Sequence, residues 1–360
     1  MTPFDRHRPH ALAPLPPAAE LETRVVLKKT IAARAALAEL KAMSQLLPNQ
    51  SVLMQTIGLQ EAKLSSEIEN IVTTNDALYR AIVDERATDP ATREVLAYQN
   101  ALWAGFDVVK RQQRPITPPL MEDLVRRIKG SDIGVRRVPG TKLARPDGEV
   151  IYTPPEGEPL LRDLLSNLVD FIHTAEDLDP LVRLAVMHYQ FEAIHPFIDG
   201  NGRTGRILNI LFLVEQGLLD NPVLYLSQYI LEHKTGYYSG LQAVTEHGAW
   251  EPWIMYILDA IEHMAKNTLD RIAGILSLME ETRKTVQGAL PKIYSKDLIE
   301  LLFHLPYTKV SALEGAGLAK RVTAAGYLRS LAEIGILKEE KIGRDLYFLN
   351  IPFWRLLSGT

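Results

Sequence analysis

The chain has 360 residues, 46% of them hydrophobic and 23% charged, with a formal net charge of −4 and no cysteine. That balance excludes a protein whose main task is coating nucleic acid, which needs a large basic surplus. The missing thiols exclude disulfides and thiolate metal sites. The opening residues, MTPFDRHRPH, lack the apolar core of a signal peptide, and no apolar run approaches the roughly 18 residues of a membrane span. We expect a cytoplasmic protein of two or three domains, with no membrane partner.

In chain order, Thr2 to Glu20 is rich in proline and alanine and reads as an extended surface arm. Helical spacing follows over Leu21–Met43, Val52–Ile71, Asp76–Asp84, Pro90–Arg111 and Pro118–Lys129. The texture then changes, with Gly134, Pro139, Gly140, Pro146, Gly148, Pro154 and Gly157 breaking up residues 130–159. Asp147-Gly148 is a hairpin-turn signal, and Glu149, Val150, Ile151 and Tyr152 lead out of it as a strand, so a β-hairpin flap is expected. Helical periodicity resumes over Leu160–His173, Pro180–Ile194, Gly205–Gly217, Lys234–Glu246 and Trp250–Leu276. Near the end, Ser295–Phe303, Lys309–Gly315 and Ala319–Ile334 read as helices, and Ile336–Lys338 and Leu346–Phe348 as short strands around Gly343. Helices followed by a small hairpin suggest a winged-helix unit. The expected fold class is therefore mainly α, with two small β elements.

The most informative stretch runs from His195 to Arg206, HPFIDGNGRTGR, between two apolar helical patterns. Gly200-Asn201-Gly202 can aim successive N–H groups inward as an anion-binding nest, and the helix that follows points its positive end at the same place. Arg203 and Arg206 stand one turn apart, so both guanidinium groups can reach one polyphosphate. Asp199 is the only carboxylate in the loop, which suits a single Mg²⁺ bridging phosphate oxygens. His195 can take a proton near neutral pH. A base, a metal ligand, an anion nest and two arginines in one segment suit phosphoryl or nucleotidyl transfer. His188, Glu192 and His195 also share one helix face. His188 reads as a packing or supporting residue, and Glu192 as either a helix-surface carboxylate or a support for the loop.

Residue for residue, this stretch resembles the signature of Fic-domain proteins, His-Pro-Phe-x-Asp/Glu-Gly-Asn-Gly-Arg-x-x-Arg. Ser65-Ser66-Glu67-Ile68-Glu69-Asn70 fits the family's inhibitory-helix motif, Ser/Thr-x-x-x-Glu-Gly/Asn, placed before the core. The beginning and end of the chain are similar to a Fic N-terminal region and to the winged helix of a bacterial branch. The resemblance implies a Fic-type helical bundle in three parts: an N-terminal region over 1–110 with an inhibitory helix near 64–71, a catalytic core over 111–285, and a winged-helix-like domain over 286–360.

It also implies a division of labour. His195 deprotonates a Tyr, Thr or Ser hydroxyl of a target protein, which attacks the α-phosphorus of ATP as pyrophosphate leaves. Asp199 holds Mg²⁺. Gly200, Asn201, Gly202 and Arg203 cradle the phosphates, Thr204 and Gly205 belong to the same turn, and Arg206 meets the γ-phosphate. Tyr237 and Tyr238 help enclose the adenosine, while Thr245 stands where some relatives carry Asn, and Trp250 is a further candidate for that pocket. The flap at Glu149–Tyr152 pairs with the target's main chain. Ser65, Glu69 and Asn70 form the brake, with Glu69 drawing Arg206 away from ATP. Glu69 could instead position a water that removes AMP. Relatives that phosphorylate carry Lys where this sequence has Gly202, so AMP transfer is favoured. A homodimer is expected by analogy. The alternative is a nucleotide-sensing, DNA-binding regulator: residues 291–360 carry ten Lys/Arg against seven Asp/Glu, with Lys320, Arg321 and Arg329 on the candidate recognition helix.

Overall fold

The computed structural model describes residues 4–46, 50–84, 89–145, 147–342 and 345–358. Thr2, Pro146 and Gly343, which figured in the expected arm, flap and last hairpin, lie outside the described residues. The arm does lie on the molecule, along the flap. The His10 N–H donates to the Thr153 carbonyl (2.9 Å) and the Thr153 hydroxyl to the Arg6 carbonyl (2.7 Å). Arg6 pairs with Glu149, and the Phe4 ring stacks on Tyr152.

Helix α1 (Arg24–Ser44) opens at Thr23, whose hydroxyl accepts from the Val26 N–H, and packs lengthwise on α11 (Trp250–Ala289). The expected end of α11 at Leu276 falls short by several turns. Met279, Thr282 and Val286 continue its buried stripe at helical spacing, so nothing ends the helix until Leu290. The expected division at 285/286 therefore lies inside a helix. α2 (Gln50–Ile68) packs on α4 (Pro90–Phe106) and on α9 (Leu226–Glu232), a short helix that periodicity did not reveal. α3 (Asn75–Asp84) follows α2. α4 runs into a π-helical turn, Asp107–Arg111, and α5 (Pro118–Lys129) starts at a Thr117 cap with proline in its first turn.

The flap is a two-stranded antiparallel hairpin, β1 (Leu143–Ala144) with β2 (Val150–Tyr152). It leads into α6 (Glu158–Thr174). At the centre of the molecule lie α7 (Pro180–Ile194) and α8 (Asn201–Glu215). Every residue of α7 from Leu181 to Ile194 except Glu192 is buried, as are all of α8 from Arg203 to Val214. Such all-round burial fixes the loop between these helices from both ends. α10 (Lys234–His247) packs on α11 and on α9.

The C-terminal part runs α12 (Lys296–Leu302), β3 (Tyr307–Thr308), α13 (Val310–Gly315), α14 (Arg321–Glu333), β4 (Lys338–Ile342), β5 (Asp345–Leu349) and α15 (Ile351–Ser358). Its strands form one antiparallel sheet in the order β3-β5-β4. β3 was unexpected because two residues carry no readable alternation, and α15 because the chain is already apolar from Leu346 onward. No helix among the described residues is long and apolar enough to cross a membrane.

Candidate active site

Helix α7 ends where its chain turns left-handed at His195, with φ of 48° and ψ of 58°. Asn201 holds the loop that follows. Its side-chain oxygen accepts from the Phe197 N–H (2.9 Å) and its amide donates to the Phe197 carbonyl (2.8 Å). The Asn201 side chain is thus a buried clamp, and its backbone is what faces a ligand. Gly200 caps α8 at φ of 85°, and an added Cβ there would meet Val125 at 3.1 Å. Because α8 begins at Asn201, four residues before the expected start, the N–H groups of Asn201, Gly202 and Arg203 are its first-turn amides. They lack intrahelical acceptors and form the anion-receiving end of the helix. Thr204 is turned inward, its hydroxyl donating to the Gly200 carbonyl at 2.9 Å.

The two arginines are not free. Arg203 donates to Glu94 of α4 at 2.7 Å and lies 3.8 Å from Asp199. Lys129 of α5 bridges the same acids, 3.0 Å from Glu94 and 2.6 Å from Asp199. Burial works to raise the Asp199 carboxyl, but Lys129 and then Arg203 hold it below the usual carboxylate range. Arg206 is wholly buried. Its Nε donates to the Ser65 hydroxyl (2.7 Å), and its Nη2 donates to the Ser65 carbonyl (2.9 Å) and to Glu69 (2.8 Å). Ser65 and Glu69 therefore meet Arg206 across 141 and 137 positions of chain. Burial opposes ionisation of Glu69, but Arg206, with Arg203 and Lys234 beyond it, keeps its pKa below normal. Gly202 makes room for this pair, since a Cβ there would stand 2.5 Å from Glu69 and 2.9 Å from Arg206.

Glu69 is held out by the end of α2. Asn70 adopts φ of 62°, the left-handed position that stops a helix. The Ile71 N–H reaches back to the Ser66 carbonyl (3.0 Å), and Lys234 donates to the Ile68 carbonyl (3.0 Å). Deeper in α2, Glu61 is buried against Ser227 of α9 and Tyr98.

His195 keeps its imidazole largely neutral. Burial first, and then the positive Arg136, push it down to about 4 against weaker opposite pulls from the Glu192 carbonyl, Glu69 and Asp199. Its Nδ1 is buried beside that carbonyl without a well-formed hydrogen bond. Glu192 is partly buried: its Oε1 is enclosed without a hydrogen-bond partner, where a Cβ on Gly205 would approach to 2.5 Å, and burial pushes its carboxyl up to about 7. His188 is a supporting residue, bonded to the Tyr237 hydroxyl (2.9 Å) and to Asn209 (3.1 Å). Tyr237 is buried against Trp253, so of the tyrosine pair it is Tyr238, 43% exposed, that has surface to offer. Thr245 bonds the Tyr189 hydroxyl (2.9 Å), and Trp250 packs on the same tyrosine ring.

In the flap, Val150 and Ile151 are partly exposed, whereas Tyr152 turns its side chain inward and donates to the Ala193 carbonyl at 2.8 Å. Glu149 is held by Arg6 and by Arg145 (2.7 Å). Sequence reasoning missed Glu94, Lys129, Arg136 and Lys234. Each lies far from the residue it serves and in an unremarkable local pattern, so only folding brings it in.

Comparisons with known proteins find likeness along most of the chain. Three family models match in sequence: "Fic/DOC family N-terminal" at residues 27–107, "Fic/DOC family" at 119–213, and "Protein adenylyltransferase SoFic-like, C-terminal domain" at 278–353. The chain is 33% identical over 108 residues to protein adenylyltransferase fic-1 of Caenorhabditis elegans, covering 29% of this chain and 20% of that protein. It is 33% identical over 123 residues to a probable protein adenylyltransferase of Aquifex aeolicus, covering 34% of this chain and 29% of that one. The chain thus spans well under half the length of these curated relatives. Among solved structures, a Fic family protein from Desulfovibrio desulfuricans superposes with a TM-score of 0.60 at 18% identity, over 93% of this chain and 98% of the other. Fic-1 from C. elegans gives 0.54 at 20% identity, over 69% and 74%. At such identities the likeness is one of fold.

Proposed function

Because the chain belongs to the Fic family, we propose that it is a protein adenylyltransferase that moves AMP from ATP to a hydroxyl side chain, held in check by Glu69. The observation that carries this reading is the meeting of Arg206 and Glu69 beside the amide-lined start of α8 and the neutral His195. A phosphate chain seated on those amides needs Arg206, and Glu69 has it.

The proposed chemistry follows from the atoms present. With its Nδ1 turned into the protein, His195 offers Nε2 to the incoming hydroxyl. The hydroxyl oxygen bonds to the α-phosphorus, the bond to the pyrophosphate oxygen breaks, and the proton passes to Nε2. The first-turn amides of α8 and Arg203 neutralise the phosphates, and Arg206, once free, orients the γ end. Among the described residues no three His, Asp or Glu side chains gather as a metal cage. A magnesium ion held mainly by ATP needs only one carboxylate. Asp199 fits that need, being 56% exposed with one oxygen on Lys129 and the other beyond hydrogen-bond reach of Arg203. Bound there, Mg²⁺ would supply charge neutralisation for the phosphates. Tyr237 and Tyr238 are assigned to the nucleoside end and the β2 edge to the target strand.

The test is intact-mass measurement of wild type, Glu69→Gly and Glu69→Gly/His195→Ala after incubation with ATP and Mg²⁺. One added AMP on Glu69→Gly, or on an added protein target, that vanishes with His195→Ala supports both base and brake. A phosphate-sized gain would replace the reading with kinase chemistry. Equal labelling of wild type and Glu69→Gly would remove the brake. Removal of AMP from the labelled product after ATP is withdrawn, dependent on Glu69, would show that the same site runs in reverse.

The division into 1–110, 111–285 and 286–360 is retained for the roles of the parts, although α11 crosses the second boundary. The C-terminal order of helix, strand, two helices and two strands supports a winged helix. On α14, Val322 is the most exposed of the large apolar side chains, and Lys320 and Arg321 stand at the start of that helix. This favours a contact surface there, for DNA or for a second copy of the chain. Binding to mixed-sequence duplex that weakens steeply with salt would assign it to DNA.

A further inference from the structure

A helix leaves its last carbonyls without intrahelical donors, and at the end of α7 the missing donors come from the flap segment. The Tyr152 hydroxyl donates to the Ala193 carbonyl (2.8 Å). The Arg136 Nε donates to the His195 carbonyl (2.8 Å) and its Nη2 to the Ile194 carbonyl (3.4 Å). The Arg136 N–H donates to the Pro196 carbonyl (2.9 Å). Nη2 also donates to Pro155, just beyond β2. Four successive carbonyls, Ala193 to Pro196, are thus held by two residues, Arg136 before the hairpin and Tyr152 in its second strand. Between them His195 keeps its left-handed backbone, a conformation that a residue with a Cβ adopts only when its surroundings hold it. Arg136 is buried, and its guanidinium bonds are to peptide carbonyls.

Resting on the adenylyltransferase reading, we propose that Arg136 is a positioning residue for the reaction: it bolts the target-docking flap to the end of α7, so that the flap and the His195 main chain move as one body. A second consequence follows from its charge. The groups that face the His195 ring are Arg136 from the segment before the flap, the Glu192 carbonyl from α7, Glu69 from the end of α2, and Asp199 from the loop. Of these, Arg136 alone is positive and works with burial to keep the imidazole unprotonated. Take Arg136 away and His195 binds its proton at higher pH, so the acid limb of the rate profile moves up.

The experiment measures AMP transfer against pH in a Glu69→Gly parent and in the same parent carrying Arg136→Lys, Arg136→Gln or Tyr152→Phe. Arg136→Lys keeps the charge but loses the fork, and kcat should fall about tenfold with the limb in place. Arg136→Gln should also move the limb up by at least about half a pH unit. Tyr152→Phe should lower kcat a fewfold, with no limb shift and no change in the KM for ATP. If Arg136→Gln unfolds, the Lys and Phe variants still carry the test of positioning. A uniform loss at every pH in Arg136→Gln would overturn the electrostatic part. An unchanged kcat in both Arg136→Lys and Tyr152→Phe would overturn the bolt. A parent that binds ATP yet transfers no AMP would instead overturn the adenylyltransferase reading, and this proposal with it.

Discussion

Asn70 fixes the end of α2, and with it the position of Glu69, through one dihedral angle. At φ of 62° it needs a residue that tolerates the left-handed region, which Gly does freely and Asn better than most. Asn70→Val should disfavour this helix end by about 1–2 kcal/mol, loosen Glu69, and raise basal AMP transfer severalfold while lowering the melting temperature. Asn70→Gly should leave both near wild type. Rate and thermal melting measured on the pair check this, and equal basal rates would separate the helix stop from the brake. The pairing of Ser65 and Glu69 was legible in their spacing, which sets them one turn apart on the face that meets Arg206, with the helix stop following at once. Arg136, Lys129 and Glu94 were not legible, because their work is done on carbonyls and charges that sequence distance conceals.

At the scale of elements, α2 is the lever, and it is fastened at two depths. Lys234 of α10 donates to the last carbonyl of α2, where a cation also suits the helix dipole. Lys234→Ala should cost the fastening about 0.5–1 kcal/mol and raise basal AMP transfer about twofold to fivefold, read by the same mass assay. One turn before Ser65, Glu61 is sealed against Ser227 and Tyr98, and burial pushes its carboxyl up to about 7 from 4.5, against the pull of Ser227 and Arg206. A raised carboxyl favours the fold while it keeps its proton. Its contribution is therefore full below about pH 4.5 and lost as pH rises through about 7. Between pH 5 and pH 8 the wild-type melting temperature should fall more than that of Glu61→Gln. Parallel melting curves for the two would mean that Glu61 is ionised throughout. Most helices were readable from their apolar period. α9 was not, although α12 and α13 are no longer and were read, yet it supplies the Ser227 that bonds Glu61.

Across the whole molecule, the C-terminal part is tied to the chain segment that follows the brake. The Tyr307 hydroxyl (3.0 Å) and the Trp354 indole (3.1 Å) both donate to one oxygen of Asp76 at the start of α3, and Asn75 bonds Ser358 (3.2 Å). On the other side, Leu356 of α15 packs so closely on Gly274 that a Cβ there would meet it at 3.0 Å. Asp76→Ala should leave one buried and one partly buried donor unmatched, at a cost of about 1–3 kcal/mol. Limited proteolysis should then release the C-terminal part sooner, while ATP binding by the core is unchanged. A separate C-terminal part was legible from the change of texture along the chain, and a C-terminal family model matches residues 278–353. This tie was not, because Asp76 reads as an ordinary helix-start acid until Tyr307 and Trp354 arrive from more than two hundred residues away.

The arm at residues 4–10 gives the flap a second attachment. Phe4 and His10 flank the ring of Tyr152, and Arg6 is tied to Glu149. A peptide that came to lie along this hairpin would find a stretch of the protein's own chain already resting there, like a bookmark kept at the page. Which foreign sequences can be read at that page is then decided by what dislodges the bookmark as much as by the page itself.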